Sequence, residues 1–202
     1  MESYLSSTLH GLIYDTLPMI VITVIVCIML RVIYLIKNEM HFTLYRELFM
    51  LTFIIYILSL FQIVTIQDTV SWSTNNFIPF KEITRYDLWS HGFFKNVIGN
   101  ICLFLPFGYF ISYILKSKRF YEPLFITFVC SLSIELVQMM IGRVFDVDDI
   151  ILNVIGGMLG YCFYKLFYFI GSKIPKVLKN EYLLDAISIM LFSLVIYIIF
   201  LI

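Results

Sequence analysis

Six continuous apolar runs, each close to membrane-crossing length, constrain this 202-residue chain more than any other feature. They lie at about Pro18–Ile36, Glu47–Ile66, Val97–Leu115, Leu124–Ile141, Ile150–Ile170 and Leu183–Ile202. A hydrocarbon layer about 30 Å thick is crossed by roughly 20 residues of helix. Each run is apolar throughout instead of alternating, and a helix satisfies its own backbone in lipid, so helices are expected rather than barrel strands. The expected fold is therefore all-α: a polytopic bundle of about six transmembrane helices, forming a single domain over residues 1–202.

Composition agrees, since 61% hydrophobic and 14% charged residues exclude an ordinary soluble protein. Fourteen basic and fourteen acidic residues balance, and no aromatic-basic stripe is present, so no nucleic-acid partner is expected. Cys27, Cys102, Cys130 and Cys162 sit alone inside apolar runs and read as small packing residues; neither a disulfide framework nor a zinc site is indicated, and no cofactor is expected. The N-terminal stretch lacks the basic region and small-residue cleavage site of a secretory signal, so the first run is expected to stay as a helix.

Basic residues near span ends mark the cytoplasmic side. With both termini outside, ten of the fourteen (Arg31, Lys37, Arg46, Lys116, Lys118, Arg119, Lys165, Lys173, Lys176 and Lys179) fall inside. Lys81, Arg85, Lys95 and Arg143 fall outside. The longest external connection, about Gln67–Asn96, carries Trp72, Phe77, Phe80, Tyr86, Trp89, Phe93 and Phe94, an aromatic set suited to the headgroup level.

The segment Ser131–Gly160 is the most expensive to bury. An ionisable group inside a span costs roughly 2.5–3.5 kcal/mol, so it normally faces protein or a watery cavity. Glu135 and Gln138 share a helix face, and a tight turn with Arg143, Asp146, Asp148 and Asp149 follows them. At 1.5 Å per residue Glu135 lies on the order of 10 Å below the external end of its helix. Asp149, Asn153, Gly156, Gly157 and Gly160 fall within about 100° of one another on the next helix, and Gly156 and Gly160 have the spacing that admits a close helix neighbour. In the third run Asn96 and Asn100 share a face, while Pro106 beside Gly108 predicts a kink. Asn96, Asn100, Glu135, Gln138, Arg143, Asp146, Asp148, Asp149 and Asn153 thus all fall in the outer third of the membrane or at its edge, which predicts a ligand-binding polar pocket open to the external leaflet.

At these residues the chain resembles the VanZ-like family of bacterial membrane proteins. The resemblance runs from about Asn76 to Lys165: NFIPFKEI in the connection, NxxxN with PFG in the third run, ExxQ in the fourth, and RVFDVDDIILNVIGGMLG leading into the fifth. It implies a bacterial plasma membrane and an association with resistance to teicoplanin-type lipoglycopeptides, but it implies no reaction.

Three functions are compatible with these residues. The first is a non-enzymatic protein that binds an amphiphile, whether a membrane lipid, a lipid-linked precursor or the lipoglycopeptide itself. The second is an intramembrane enzyme on a lipid-linked substrate, with Glu135 as acid or base and Asp146, Asp148 and Asp149 around a divalent cation. The third is a flippase or transporter, for which matching halves are not visible.

Overall fold

A computed structural model describes residues 2–66, 75–173 and 181–201. The chain is helical, as expected: α1 is Glu2–Lys37, α2 Leu44–Ile66, α3 His91–Leu115, α4 Tyr121–Met140, α5 Val147–Lys173 and α6 Glu181–Leu201. Among the described residues, four helical segments are long and apolar enough to cross a membrane: Leu44–Gln62, α3, α4 and α5. Trp72, Lys176, Lys179, Ile202 and the first part of the Gln67–Asn96 connection lie outside the described residues.

The apolar runs locate the helices well but understate the third. It begins at His91, six residues before Val97, because Ser90 Oγ caps it by accepting from Phe93 N at 3.1 Å. Lys95 and Asn96 are polar, which excludes them from a hydropathy count, yet both lie in a π-helical turn, Phe94–Ile98, that leads into the regular part of α3. The helix then runs unbroken through Pro106. It ends where Lys116 takes a left-handed conformation (φ 52°) and Ser117 N donates to Ser112 O at 2.9 Å.

The fold has two compact units, residues 1–62 with 174–202, and residues 63–173. In the first, Arg31 Nε and Nη2 bind the Glu47 carboxylate at 2.8 and 3.0 Å, and Asp185 of α6 accepts from Tyr45 N, near the start of α2, at 2.9 Å.

The second unit holds α3, α4 and α5. Phe104 and Phe107 of α3 and Ile150 and Leu152 of α5 are buried apolar positions, but along α4 the burial pattern inverts that of a soluble protein. On α4 the buried positions are Pro123, Thr127, Ser131, Glu135 and Gln138, whereas Phe125, Phe128, Val129, Leu136 and Met139 are exposed. Spacings of four and three residues keep the polar set on one face, turned toward the protein, with the apolar residues left for lipid.

Glycines set how closely α3 and α5 pack. A Cβ on Gly156 would strike the Ile101 carbonyl, one on Gly160 the Leu105 carbonyl, and one on Gly108 the Gly157 carbonyl. Gly157 in turn faces Thr127 of α4, whose Oγ1 and Cγ2 lie 2.6 Å from where a Cβ would stand. The close approach expected from Gly156 and Gly160 is therefore present, and Gly108 contributes to it from the opposite helix. Cys102 and Cys162, expected as packing residues, are exposed instead.

Candidate functional site

The polar residues of the second unit converge where α4 turns into α5. The turn itself is closed by backbone: Arg143 N donates to Gln138 O at 2.9 Å, and Gly142 has φ 84°, a conformation that favours glycine. α5 then starts at Val147, and its first turn carries Asp148 and Asp149 where acidic groups suit the helix dipole.

Glu135 is 1% exposed, and its Oε2 accepts from Asp146 N at 2.9 Å. A buried carboxylate on α4 is thereby tied to the segment leading into α5. Lower down, Asn153 Nδ2 donates to Ser131 Oγ at 2.9 Å, so amide and hydroxyl join the same two helices inside the membrane layer. Asn100 Nδ2 donates to Asp149 Oδ1, which brings in α3. The charge of Arg143 acts on both Glu135 and Asp149. Gln138 is buried on the same face as Glu135.

Asp148, 1% exposed, has a different role from its neighbours. Its carboxylate accepts from three backbone amides of the connection between α2 and α3: Phe80 N, Glu82 N at 2.7 Å and Ile83 N at 3.2 Å. Phe80 sits at φ 65°, a costly conformation for a residue with a side chain, and the anchoring carboxylate holds it there. Asp146 Oδ1 accepts from Asn76 Nδ2 at 2.8 Å and from Asp148 N at 2.9 Å. A short bridge completes the clasp, with Asn76 N donating to Phe145 O at 2.8 Å and Val147 N to Asn76 O at 3.1 Å. The Phe77 and Phe145 rings stack beside it, centroids 5.3 Å apart. Burial raises the carboxyl pKa of Asp146, opposed by the hydrogen bonds from Asp148 N and Asn76.

Residues 76–90 of the connection thus form a strap over the helix ends beside a half-open cleft of about 90 Å³. Glu82, Ile83, Tyr86, Asn96, Asp146 and Asp149 are among the residues lining it, with Val97 and Leu152 as apolar floor. Of the residues singled out from sequence, Asn96, Asp146, Asp148 and Asp149 line the cleft. Asn100, Glu135 and Asn153 are instead bonded into the supporting framework. Asn96 and Asn100, expected on one face, both meet the start of α5: Asn96 lines the cleft with Asp149 while its Nδ2 donates to Gly92 O, and Asn100 donates to Asp149 itself.

Asn76, Glu82, Tyr86 and Ser131 were not chosen from sequence. Asn76 and Glu82 did lie within the NFIPFKEI motif, and Tyr86 within the aromatic set of the connection. Tyr86 packs on Gly92, where a Cβ would come 2.7 Å from its ring. Among the described residues, no group of three His, Cys, Asp or Glu side chains is disposed to hold a metal ion. Asp146 and Asp148 direct their oxygens at backbone and amide donors, so the divalent-cation arrangement considered for the enzyme reading has no support in this geometry.

Fold and site together define an all-α integral membrane protein with a polar cleft built over a three-helix unit. The VanZ/LLP1 family model matches residues 48–168, well over half of the chain, and the chain belongs to that family. The match takes in most of α2, ahead of the Asn76–Lys165 stretch that carried the resemblance. Over 77 residues the chain is 35% identical to Protein VanZ of Enterococcus faecium, covering 37% of this chain and 47% of that relative. The chain therefore spans about half the length of that relative. No solved structure matches.

Proposed function

We propose that this VanZ-family membrane protein binds an amphiphile at the outer leaflet, in the cleft beneath the strap, and thereby lowers the effect of a teicoplanin-type lipoglycopeptide on cell-wall precursors. One observation carries the reading: Asp146 and Asp149 line a common cleft with Glu82, Tyr86 and Asn96, while Asn100 and Glu135 are spent on holding the two aspartates in place. Buried carboxylates in a span persist where protein or ligand gives them donors. Carboxylate oxygens and an amide suit the N–H and O–H groups of a peptide or sugar, and Arg143 supplies a cation in the turn that leads to Asp146. The outward placement is supported by the distribution of lysines and arginines. The link to teicoplanin comes from family membership and the similarity to Protein VanZ.

Expression in a susceptible Gram-positive host should raise the inhibitory concentration of teicoplanin more than that of vancomycin. Glu82→Gln, Asn96→Ala and Asp149→Asn, all at the cleft lining, should each reduce or abolish the increase while membrane expression stays near normal. Unchanged susceptibility to both antibiotics would count against the reading, and loss of expression in all three variants would assign these residues to folding alone.

A further inference from the structure

The opposite end of the three-helix unit carries a second charged feature, made of residues the cleft does not use. The turn between α3 and α4 contains Lys116, Lys118 and Arg119, all exposed. It is not a loose loop. Lys116 caps α3 in the left-handed conformation, Ser117 is 1% exposed, and the Lys118 carbonyl accepts from Tyr161 Oη at 3.4 Å and Lys165 Nζ at 3.3 Å. That contact brings a fourth cation, Lys165, to the turn, with its ammonium 5.4 Å from the Tyr161 ring centroid. Arg119 Nη1 donates to Tyr121 Oη at 2.5 Å and its guanidinium lies 5.7 Å from that ring. Within residues 115–122 the acidic residue is Glu122, so the turn is strongly cationic.

Apolar side chains surround these cations. Phe120 is 59% exposed, and Leu115, Phe163, Leu166 and Phe167 are exposed on the adjoining helix faces. In an integral membrane protein such a ring of cations above exposed aromatic and aliphatic groups stands at headgroup level. A partner that meets it must be anionic at one end and apolar at the other.

We propose that the α3–α4 turn, with Lys165, is a binding surface for anionic phospholipid: the headgroup phosphate takes the Lys116, Lys118 and Arg119 cations, and the acyl chains lie along Phe120, Phe163 and Phe167. The surface is independent of the cleft and of which leaflet it faces. It fixes the depth of the unit by its end remote from the strap.

Native mass spectrometry of the full chain, released from micelles holding equal phosphatidylglycerol and phosphatidylcholine, tests this. The wild-type protein should retain phosphatidylglycerol preferentially. A triple variant, Lys116→Gln with Lys118→Gln and Arg119→Gln, should lower that preference by about fivefold for each charge removed. Replacing both lysines by arginine should preserve it. A triple variant that melts like wild type and keeps the wild-type lipid ratio would overturn the proposal. Should that variant fail to fold, the wild-type preference measured against salt decides: it must weaken as ionic strength rises, and a salt-independent preference would overturn the proposal equally.

Discussion

Gly156→Leu should leave almost no folded protein in the membrane. Its Cβ alone would run into the Ile101 backbone carbonyl, an atom that cannot swing aside as a side-chain tip can, so α3 and α5 would have to separate along their whole contact. Overpacking a core costs about 1–3 kcal/mol, occasionally more, and displacing a helix backbone belongs at the upper end. Leucine adds three further carbons to that clash, and a loss above that range is comparable with the lower end of the about 5–15 kcal/mol that holds a domain folded. Gly108→Ala should be nearly as damaging, since a single methyl would meet the Gly157 carbonyl. Gly171 provides the contrast, because a Cβ there meets nothing within 4 Å. Gly171→Ala should be neutral or favourable by up to about 1 kcal/mol from helix propensity. The yield of monodisperse protein and its melting temperature in detergent check all three.

The second large effect is expected at Asp148. Replacing it by alanine leaves the amides of Phe80, Glu82 and Ile83 without their carboxylate, and each unsatisfied buried donor costs about 1–3 kcal/mol. The loss should fall on the strap rather than on the helices, whose packing rests on the glycine contacts. Amide hydrogens at Phe80, Glu82 and Ile83 should then exchange quickly, and trypsin should cut after Lys81 and Arg85, while α3, α4 and α5 remain protected. Asp148→Asn should show the same pattern more weakly, since it keeps one acceptor but presents an N–H to a backbone donor. A strap that stays protected in Asp148→Ala would mean that Asn76 and Asp146 hold it unaided.

These two expectations rest on features of very different visibility in the sequence. The glycine contact was legible, because Gly156 and Gly160 recur at a spacing that helix geometry turns into one stripe. Glu135, Asp149 and Asn153 were legible for a related reason, being costly in apolar surroundings and set by helical periodicity on inward faces. The strap was not. Asp148 finds its three donors more than sixty residues away, in a connection without periodicity, and nothing local distinguishes an aspartate that anchors backbone amides from one that faces a ligand. The partner of Asn153 escaped for a similar reason, since Ser131 is an unremarked hydroxyl until two antiparallel helices bring it opposite an amide. The π-helical turn at Phe94–Ile98 likewise lies beyond a fixed rotation of 100° per residue.

Everything functional depends on whether the cleft takes a ligand. The direct measurement is equilibrium binding of fluorescent teicoplanin to the purified chain in nanodiscs, with vancomycin as the counterpart lacking the lipid tail, for wild type and for Asp149→Asn. Saturable binding of teicoplanin that vancomycin does not reproduce and that Asp149→Asn greatly weakens is the expected result. Binding of equal strength in a folded Asp149→Asn variant, or no saturable binding by the wild type, would contradict it.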